Sequence, residues 1–395
     1  MNKTHKIKLY PTKSQEVFFR KSAGVARFAY NWALNKWQED YKNGIKNGAY
    51  SLVKHLNSIK HKEFPWMQDV AKSCSQYAIH NLETAFKRMW KGIAKYPNFK
   101  KKGVKDSFIS AENSRSYKQK DFKIWMPRLG WVKCAENLRF EGKVNYVAVK
   151  RTADIWFAYV NIETIPSEAP VVCENQATVG VDLGIKTMIV LSDGKTFENP
   201  KALKKNLKSL KRLHRGLSRK EKDSNSYKKQ KVKLARKYYK VSCIRKHALH
   251  EATSYITKNY SKIVIEDLNA EGMKRNHKLA QSLNDVSFGE LKRQLIYKAL
   301  WEGKELVKAD RFFASSKTCS GCGHKKETLK LSERIYKCES CGLHIDRDLN
   351  AAINLANYSP TPKSGECEAG REGSSSLVTK VSPSVKQEAD NLVNT

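Results

Sequence analysis

The sequence predicts a multidomain α/β protein, and three observations carry that prediction. Apolar and polar residues alternate at 5–10 and again between 95 and 170, on either side of a helically patterned stretch; this is a β-domain with helices inserted in it. From Thr178 onward strand-like and helix-like segments take turns, the order that builds a sheet with helices against it. Two CxxC pairs, Cys319/Cys322 and Cys338/Cys341, stand fifteen residues apart, the spacing of a zinc ribbon whose two tight knuckles close a four-thiolate tetrahedron. A chain of 395 residues allows two or three domains.

The elements follow in order. HKIKLY (5–10) alternates and stops at Pro11, which predicts a short strand. Ser14 is the expected N-cap of a helix through Val17, Phe18, Val25, Phe28, Ala29, Trp32 and Leu34. Val53, Leu56 and Ile59 mark a second helix. A third is expected from Gln68 to Ile93, with Val70, Cys74, Tyr77, Ala78, Asn81, Leu82, Ala85, Phe86 and Met89 on one face. A plain helical bundle with solvated lysines and a surface that grips a duplex both fit this region. KYPNFKKKG is a basic connector. FKIWMP, GWVK, NYVAVKR and DIWFAYVNIE then read as strands of a small antiparallel barrel or sheet, which the first strand can join. Expected boundaries are 1–13 with 95–170 for the β-barrel domain and 14–94 for the helical insertion.

Residues 165–176 read as a linker. TVGVDLGIKTMIVLSDGKTF contains two apolar strands and an Asp193-Gly194 hairpin signal. Leu203, Leu207, Leu210, Leu213 and Leu217 form one apolar seam, and Leu234, Tyr238, Val241, Leu249, Ala252 and Ile256 a second, which predicts a helical hairpin over 200–258. KIVIEDLN (262–269) is a buried strand, 271–285 a polar mobile loop, Phe288–Trp301 a helix and Glu305–Ala309 a strand. The zinc ribbon is expected at 315–345 and a last helix at 346–358. The core then spans 178–314, and the Ser-, Pro- and Gly-rich stretch 359–395 is expected to be disordered.

Charge narrows the partners. There are 75 Lys and Arg against 39 Asp and Glu, a net charge of +36 spread along the whole chain. Such self-repulsion calls for a polyanion, and the even spread favours nucleic acid over a membrane surface. From Lys201 to Lys246 there are nineteen Lys or Arg and two acidic residues, Glu221 and Asp223, so the hairpin's basic faces are expected to meet phosphate. Lys204, Lys208, Lys211, Arg212, Arg215 and Arg219 are the candidates there, with Lys100 and Lys101 in the connector. Cys74, Cys134, Cys173, Cys243 and Cys367 are scattered singly, the usage of a reducing compartment. No signal-peptide run and no long apolar span occurs, so the expected place is the cytoplasm, at the nucleoid.

In so basic a chain, acidic residues inside apolar strands stand out. Asp182 interrupts VGVDLGI, Glu266 ends IVIE, and Asp348 opens LNAAINLAN. Separately these could be a turn residue, a solvated strand end and an N-cap. Together, as strand Asp, strand-end Glu and helix-start Asp, they match an RNase H-like core, in which a mixed sheet presents two carboxylates and a neighbouring helix brings the third. Cutting a phosphodiester asks for such a set: two divalent ions about 4 Å apart can activate water and stabilise the leaving oxygen, and hard cations take carboxylate oxygens.

The chain resembles the TnpB (OrfB-type) proteins of insertion sequences, relatives of the type V CRISPR effectors. The likeness rests on GVDLGIK (180–186), VIEDLN (264–269), SSKTCSGCG (315–323), YKCESCG (336–342) and DRDLNAAINL (346–355), with looser matches at LYPTKSQ, RFAYNWAL and NFKKK. It covers about residues 1–358. The resemblance implies an RNA-guided DNA endonuclease with a RuvC-type nuclease core, a structured guide RNA, a double-stranded target DNA and a short flanking motif read by the protein. It implies Asp182, Glu266 and Asp348 as ligands of two Mg²⁺ ions, with Asp346 a supporting partner, and one structural zinc on Cys319, Cys322, Cys338 and Cys341. A guided binder without cleavage, acting as a repressor, would be expected to lack a carboxylate. A transposase performing strand transfer would be expected to carry a separate end-binding domain. A plain zinc-dependent DNA-binding protein would leave Asp182 and Glu266 unexplained. Monomer and dimer are both open.

Overall fold

Alternation makes the first strand. In β1 (Asn2–Tyr10) His5, Ile7 and Leu9 are buried, while Lys6, between them, lies over the Phe157 ring at 4.0 Å. The strand begins earlier than the HKIKLY run suggests, because Asn2–Thr4 continue the antiparallel ladder with β7 (Ile155–Glu163). The computed structural model describes residues 1–111, 118–164, 177–330 and 332–359. The expected linker at 165–176 and nearly all of the expected tail therefore lie outside the described residues. Two compact units result, one on each side of that linker.

In the first unit β1 is followed by α1 (Lys13–Lys42), α2 (Ala49–Glu63), a 3₁₀ turn (Pro65–Asp69) and α3 (Ser73–Trp90). The sheet resumes with β2 (Ser107–Ser110), β3 (Gln119–Lys120), β4 (Lys123–Met126), β5 (Gly130–Cys134), β6 (Lys143–Thr152) and β7. Its seven strands are all antiparallel, in the order β2-β6-β7-β1-β5-β4-β3. Among the described residues no pairing joins the two end strands β2 and β3, between which residues 112–117 lie outside the described residues. β1 does join the sheet, and the helices share its core: Phe19 of α1 packs on Trp156 at 5.2 Å and on Phe108 at 5.7 Å.

Two helix boundaries differ from expectation. Thr12 rather than Ser14 caps α1, in a reciprocal box with Gln15: the Thr12 hydroxyl accepts from the Gln15 amide and the Gln15 side chain accepts from the Thr12 amide. The third helix starts at Ser73, because Pro65 opens a separate turn and Val70 is extended between them. Its buried face is Cys74, Ala78, Ile79, Leu82 and Phe86, which leaves Tyr77, Asn81 and Met89 at the margin.

The second unit contains β8 (Thr178–Leu183), β9 (Thr187–Leu191), β10 (Thr196–Glu198), α4 (Ala202–Ser218), α5 (Asn225–Asn259), β11 (Lys262–Glu266), α6 (Ala270–Lys274), α7 (His277–Val286), α8 (Phe288–Trp301), β12 (Glu305–Ala309), β13 (Ile335–Lys337), β14 (His344–Asp346) and α9 (Arg347–Ala356). Its five-stranded sheet has the order β10-β9-β8-β11-β12, with β8, β11 and β12 parallel and β9 and β10 antiparallel. Val179, Val181, Ile263 and Ile265 face a core shared with Leu249, Ala252 and Ile256 of α5 and Leu291 and Leu295 of α8. The alternate residues of β11 face the other way, where Val264 packs with Leu355 of α9 and with Tyr358.

The hairpin forms as α4 and α5, but its second seam divides. Leu234 and Val241 pack with Leu210 of α4, whereas Leu249, Ala252 and Ile256 serve the sheet, and Tyr238 stays exposed with its hydroxyl on His214 at 2.7 Å. The polar stretch 271–285 is not a loop: α6 and α7 occupy it. Buried Asp285 caps α4, accepting from the Leu203 amide at 2.9 Å and the Lys204 amide at 3.1 Å. A carboxylate from another helix thus does what Lys201, at the N-cap position, cannot.

Candidate active site

Strand register places the first two carboxylates. β8 and β11 pair in parallel with Val264 opposite Gly180 and Ile265 opposite Val181. One step further puts Glu266 beside Asp182, on strands about 4.8 Å apart. Side-chain alternation turns both away from the Val181 and Ile265 face, toward α9.

Helix α9 supplies the third, and Gly180 is what lets it in. A Cβ on Gly180 would fall 1.9 Å from the Ala352 carbonyl oxygen and 2.4 Å from the Ala356 amide nitrogen, so only glycine permits this approach. Asp348 precedes Ala352 by four residues, about 6 Å of helix rise, and Asp182 follows Gly180 by two, about 6.6 Å of strand. The matching steps bring Asp348 alongside Asp182. Burial, then the charges of Glu266 and Asp348, push the Asp182 carboxyl up to about 8. Burial also raises Glu266, opposed by the Ser315 hydroxyl, which donates to Glu266 Oε1.

The neighbours have distinct tasks. Asp346 is the N-cap of α9: its Oδ1 accepts from the Asp348 amide at 2.9 Å and the Leu349 amide at 3.1 Å, leaving the Asp348 side chain free of that duty. Arg347 Nη2 lies 3.4 Å from Asp348 Oδ1, and Arg334 Nη1 lies 3.9 Å from Oδ2. Asp267, next to Glu266, is held below the usual carboxylate range by Lys292 and Arg311, at 2.6 and 3.1 Å. Hard carboxylate oxygens gathered in a half-buried place fit divalent cations, which would offset the burial and the mutual repulsion that raise Asp182.

The four cysteines come together as predicted. Their Sγ atoms all lie within 4.8 Å of one another, with Cys319–Cys341 at 3.6 Å and Cys322–Cys338 at 3.5 Å. Tetrahedral Zn–S bonds of about 2.3 Å place sulfurs about 3.8 Å apart, so the set fits zinc. Each knuckle closes the same way, the Gly323 amide donating to the Cys319 carbonyl and the Gly342 amide to the Cys338 carbonyl, both glycines with left-handed φ. The Cys341 amide draws the Cys338 thiol down to about 6. The Leu343 amide favours the Cys341 thiolate, yet the sulfurs of Cys322 and Cys338 push that thiol up to about 12. Four thiolates cannot share this volume without a cation. Among the described residues this is the group of three or more Cys, His, Asp or Glu ligand atoms close enough to hold one ion.

Sequence reading missed how the two centres connect. Asn350 and Asn354 of α9 are buried and reach the start of the cysteine module. Asn350 donates to the Thr318 carbonyl at 2.7 Å and accepts from the Ser320 amide at 2.9 Å; Asn354 donates to the Ser315 and Thr318 carbonyls at 2.7 and 2.6 Å. The signal was present as two Asn residues at i, i+4 on the apolar side of a helix. The helix that carries Asp348 is thus bolted to the segment that carries Ser315 and Cys319.

The basic candidates divide. Lys204, Lys208, Lys211, Arg212, Arg215, Arg219 and Lys101 are exposed. Lys100 differs: although exposed as a residue, its ammonium sits 3.8 Å over the Tyr30 ring and lines a cavity of about 40 Å³, and burial lowers it to about 8. Its ammonium thus rests on an aromatic ring while the residue as a whole stays exposed.

A mixed sheet bearing three carboxylates beside a four-cysteine module is the frame on which the chain's relatives can be compared. A family model described as "Probable transposase" (OrfB, IS605) matches residues 159–277, a Cas12f1-like TNB domain model matches 288–355, and a model described as a helix-turn-helix domain matches 1–46, which here form one strand, one long helix and the turn after it. The chain belongs to the OrfB-type, or TnpB, family. It is 33% identical over 370 residues to InsQ of Escherichia coli K12, described as a "Putative RNA-guided DNA endonuclease", covering 89% of this chain and 90% of that one. A Streptomyces pristinaespiralis protein with the same description is 32% identical over 366 residues, covering 90% and 89%. A solved Cas12f1 complex with guide RNA and target DNA aligns at a TM-score of 0.35 and 18% identity, covering 90% of this chain and 99% of that one. Among the described residues no helix is long and apolar enough to cross a membrane.

Proposed function

We propose that the protein is an RNA-guided DNA endonuclease of the cytoplasm, working at the nucleoid, with a RuvC-type core in its second unit. The observation that carries this reading is the placement of Asp182 and Glu266 side by side on β8 and β11, with Asp348 delivered by α9. These three would hold two Mg²⁺ ions, which when bound supply an activated water and a stabilised leaving oxygen. The chain's own residues do the positioning. Gly180 sets the depth of α9, Asp346 fixes its first turn, and Ser315 orients Glu266. Asp267, paired to Lys292 and Arg311, leaves Glu266 to face the centre. Cys319, Cys322, Cys338 and Cys341 would hold one zinc as a closed structural site, and the exposed cations of α4 would meet the phosphates of guide RNA or target DNA.

The test is purification with co-expressed RNA from the element's end, sequencing of the bound species, and incubation with matched DNA beside varied flanking sequence. A discrete RNA with a variable end and Mg²⁺-dependent cutting are expected; Asp182→Ala should abolish cutting and keep target capture. Cutting by that variant would remove the triad assignment. The family model's description favours a second reading, strand transfer, which recovery of covalently joined DNA products would establish.

A further inference from the structure

Phe312 has 93% of its surface exposed, more than any other large apolar side chain among the described residues. It is not on a loose segment. Asp310, two residues before it, accepts from the Tyr358 hydroxyl at 2.7 Å, and its amide donates back at 3.3 Å. Arg311 is paired with Asp267 at 3.1 Å, next to Glu266. Phe313 packs edge-on against Tyr358 at 4.9 Å. Ser315 donates its hydroxyl to Glu266, while its carbonyl is held by Asn354 at 2.7 Å.

Residues on both sides of Phe312 are therefore fastened, to Tyr358, to Asp267 and, through Ser315, to Glu266, and the ring between them faces solvent. An apolar ring costs free energy in water, and the fastened residues on both sides hold this one there. Ser315 lies three positions on, at most about 11 Å of chain, a distance that a strand covers in about three nucleotides. Arg311, next to the ring in sequence, is paired with Asp267, and Arg334 and Arg347 lie on Asp348 of the same centre. A rigid, exposed aromatic face beside cations is the element on which a single-stranded base stacks, and it loses little entropy in doing so.

We propose that Phe312 stacks on a nucleobase of the DNA strand entering the carboxylate centre and so sets where the phosphate lies; this rests on the nuclease reading of that centre. The ring needs a partner with a π-face, and an unpaired base has one. A base held in a duplex is already stacked, so the contact selects a strand that has been opened.

The test uses the complete protein–guide RNA complex and the variants Phe312→Ala, Phe312→Leu and Phe312→Tyr. In an Asp182→Ala background, a fluorescent purine analogue is placed in turn at each position of the single-stranded region near the cut. Quenching at one or two positions is expected for Phe312 and Tyr, and loss of it for Ala and Leu. In the active background, Ala and Leu should cut about tenfold more slowly, Tyr within about twofold of the parent, with duplex capture unchanged. Equal quenching in all four proteins, or a leucine variant that cuts like the parent, would overturn the stacking assignment. An unaltered complex that shows the quenching difference but never cuts would keep the stacking contact and remove the nuclease reading instead.

Discussion

At the scale of single residues, Asp182 is the group whose chemistry departs furthest from its ordinary behaviour in the centre. Its carboxyl is raised from the ordinary 3.8 to about 8 by burial and by Glu266 and Asp348. An acid whose folded value is raised keeps its proton longer in the fold than in the unfolded chain. Its favourable contribution is complete below about pH 4 and is lost as the pH climbs to about 8. Metal-free protein should therefore melt at falling temperature across that window, and Asp182→Asn should flatten the dependence and melt several degrees higher at pH 8, as calorimetry would show. Divalent ions compete with the same proton, so apparent Mg²⁺ affinity should rise about tenfold per pH unit below pH 8, measured by thermal shift against added Mg²⁺. A flat profile would mean that Asp182 is ionised in the absence of metal.

At the scale of elements, the contact between α9 and β8 decides whether a centre exists. Gly180→Ala would place a methyl against the Ala352 carbonyl and the Ala356 amide, backbone atoms that cannot step aside. We expect about 1–3 kcal/mol of destabilisation by denaturant titration and a larger loss of cutting than stability alone accounts for, because Asp348 moves with the helix. Asn354→Ala takes the side-chain donor from the Ser315 carbonyl in a buried place and leaves the Thr318 carbonyl with Asn350 alone of its two asparagine donors. It should cost about 1–3 kcal/mol and speed zinc loss to a colorimetric chelator. Zinc release unchanged from the parent would show that the cysteine module holds itself together without α9.

At the scale of the whole molecule, a net charge of +36 is distributed as a function rather than as an average. The apolar side of α4 packs on α5, and its lysines and arginines are left to solvent with no acidic partner in that helix. Replacing Lys208, Lys211, Arg212 and Arg215 by Gln should weaken nucleic-acid binding without altering which sequence is bound. The slope of log K against log salt should fall by about 0.7–0.9 for each phosphate contact removed. A filter-binding series across salt concentrations measures it. Lys100→Gln should leave that slope unchanged, since its ammonium is already taken by Tyr30.

Local chemistry announces itself in local sequence, and that is why so much was legible. Alternation marked the strands of both units, the leucine spacing marked the α4–α5 hairpin, and the two CxxC pairs marked the cysteine tetrahedron. The carboxylates were conspicuous because charge inside an apolar strand is costly without a purpose. What depends on partners distant in the chain was not legible. One miss was local: Thr12, in a box with Gln15 three residues on, displaced Ser14 as the cap of α1. Asp285 could not be recognised as the cap of α4 from inside a polar stretch eighty residues away. Neither could Ser315 be seen on Glu266, nor Lys100 turned onto Tyr30. Periodicity and spacing specify which residues share a face; only the packing of β8, β11 and α9 decides which faces meet, and that meeting turns three separate acids into one centre.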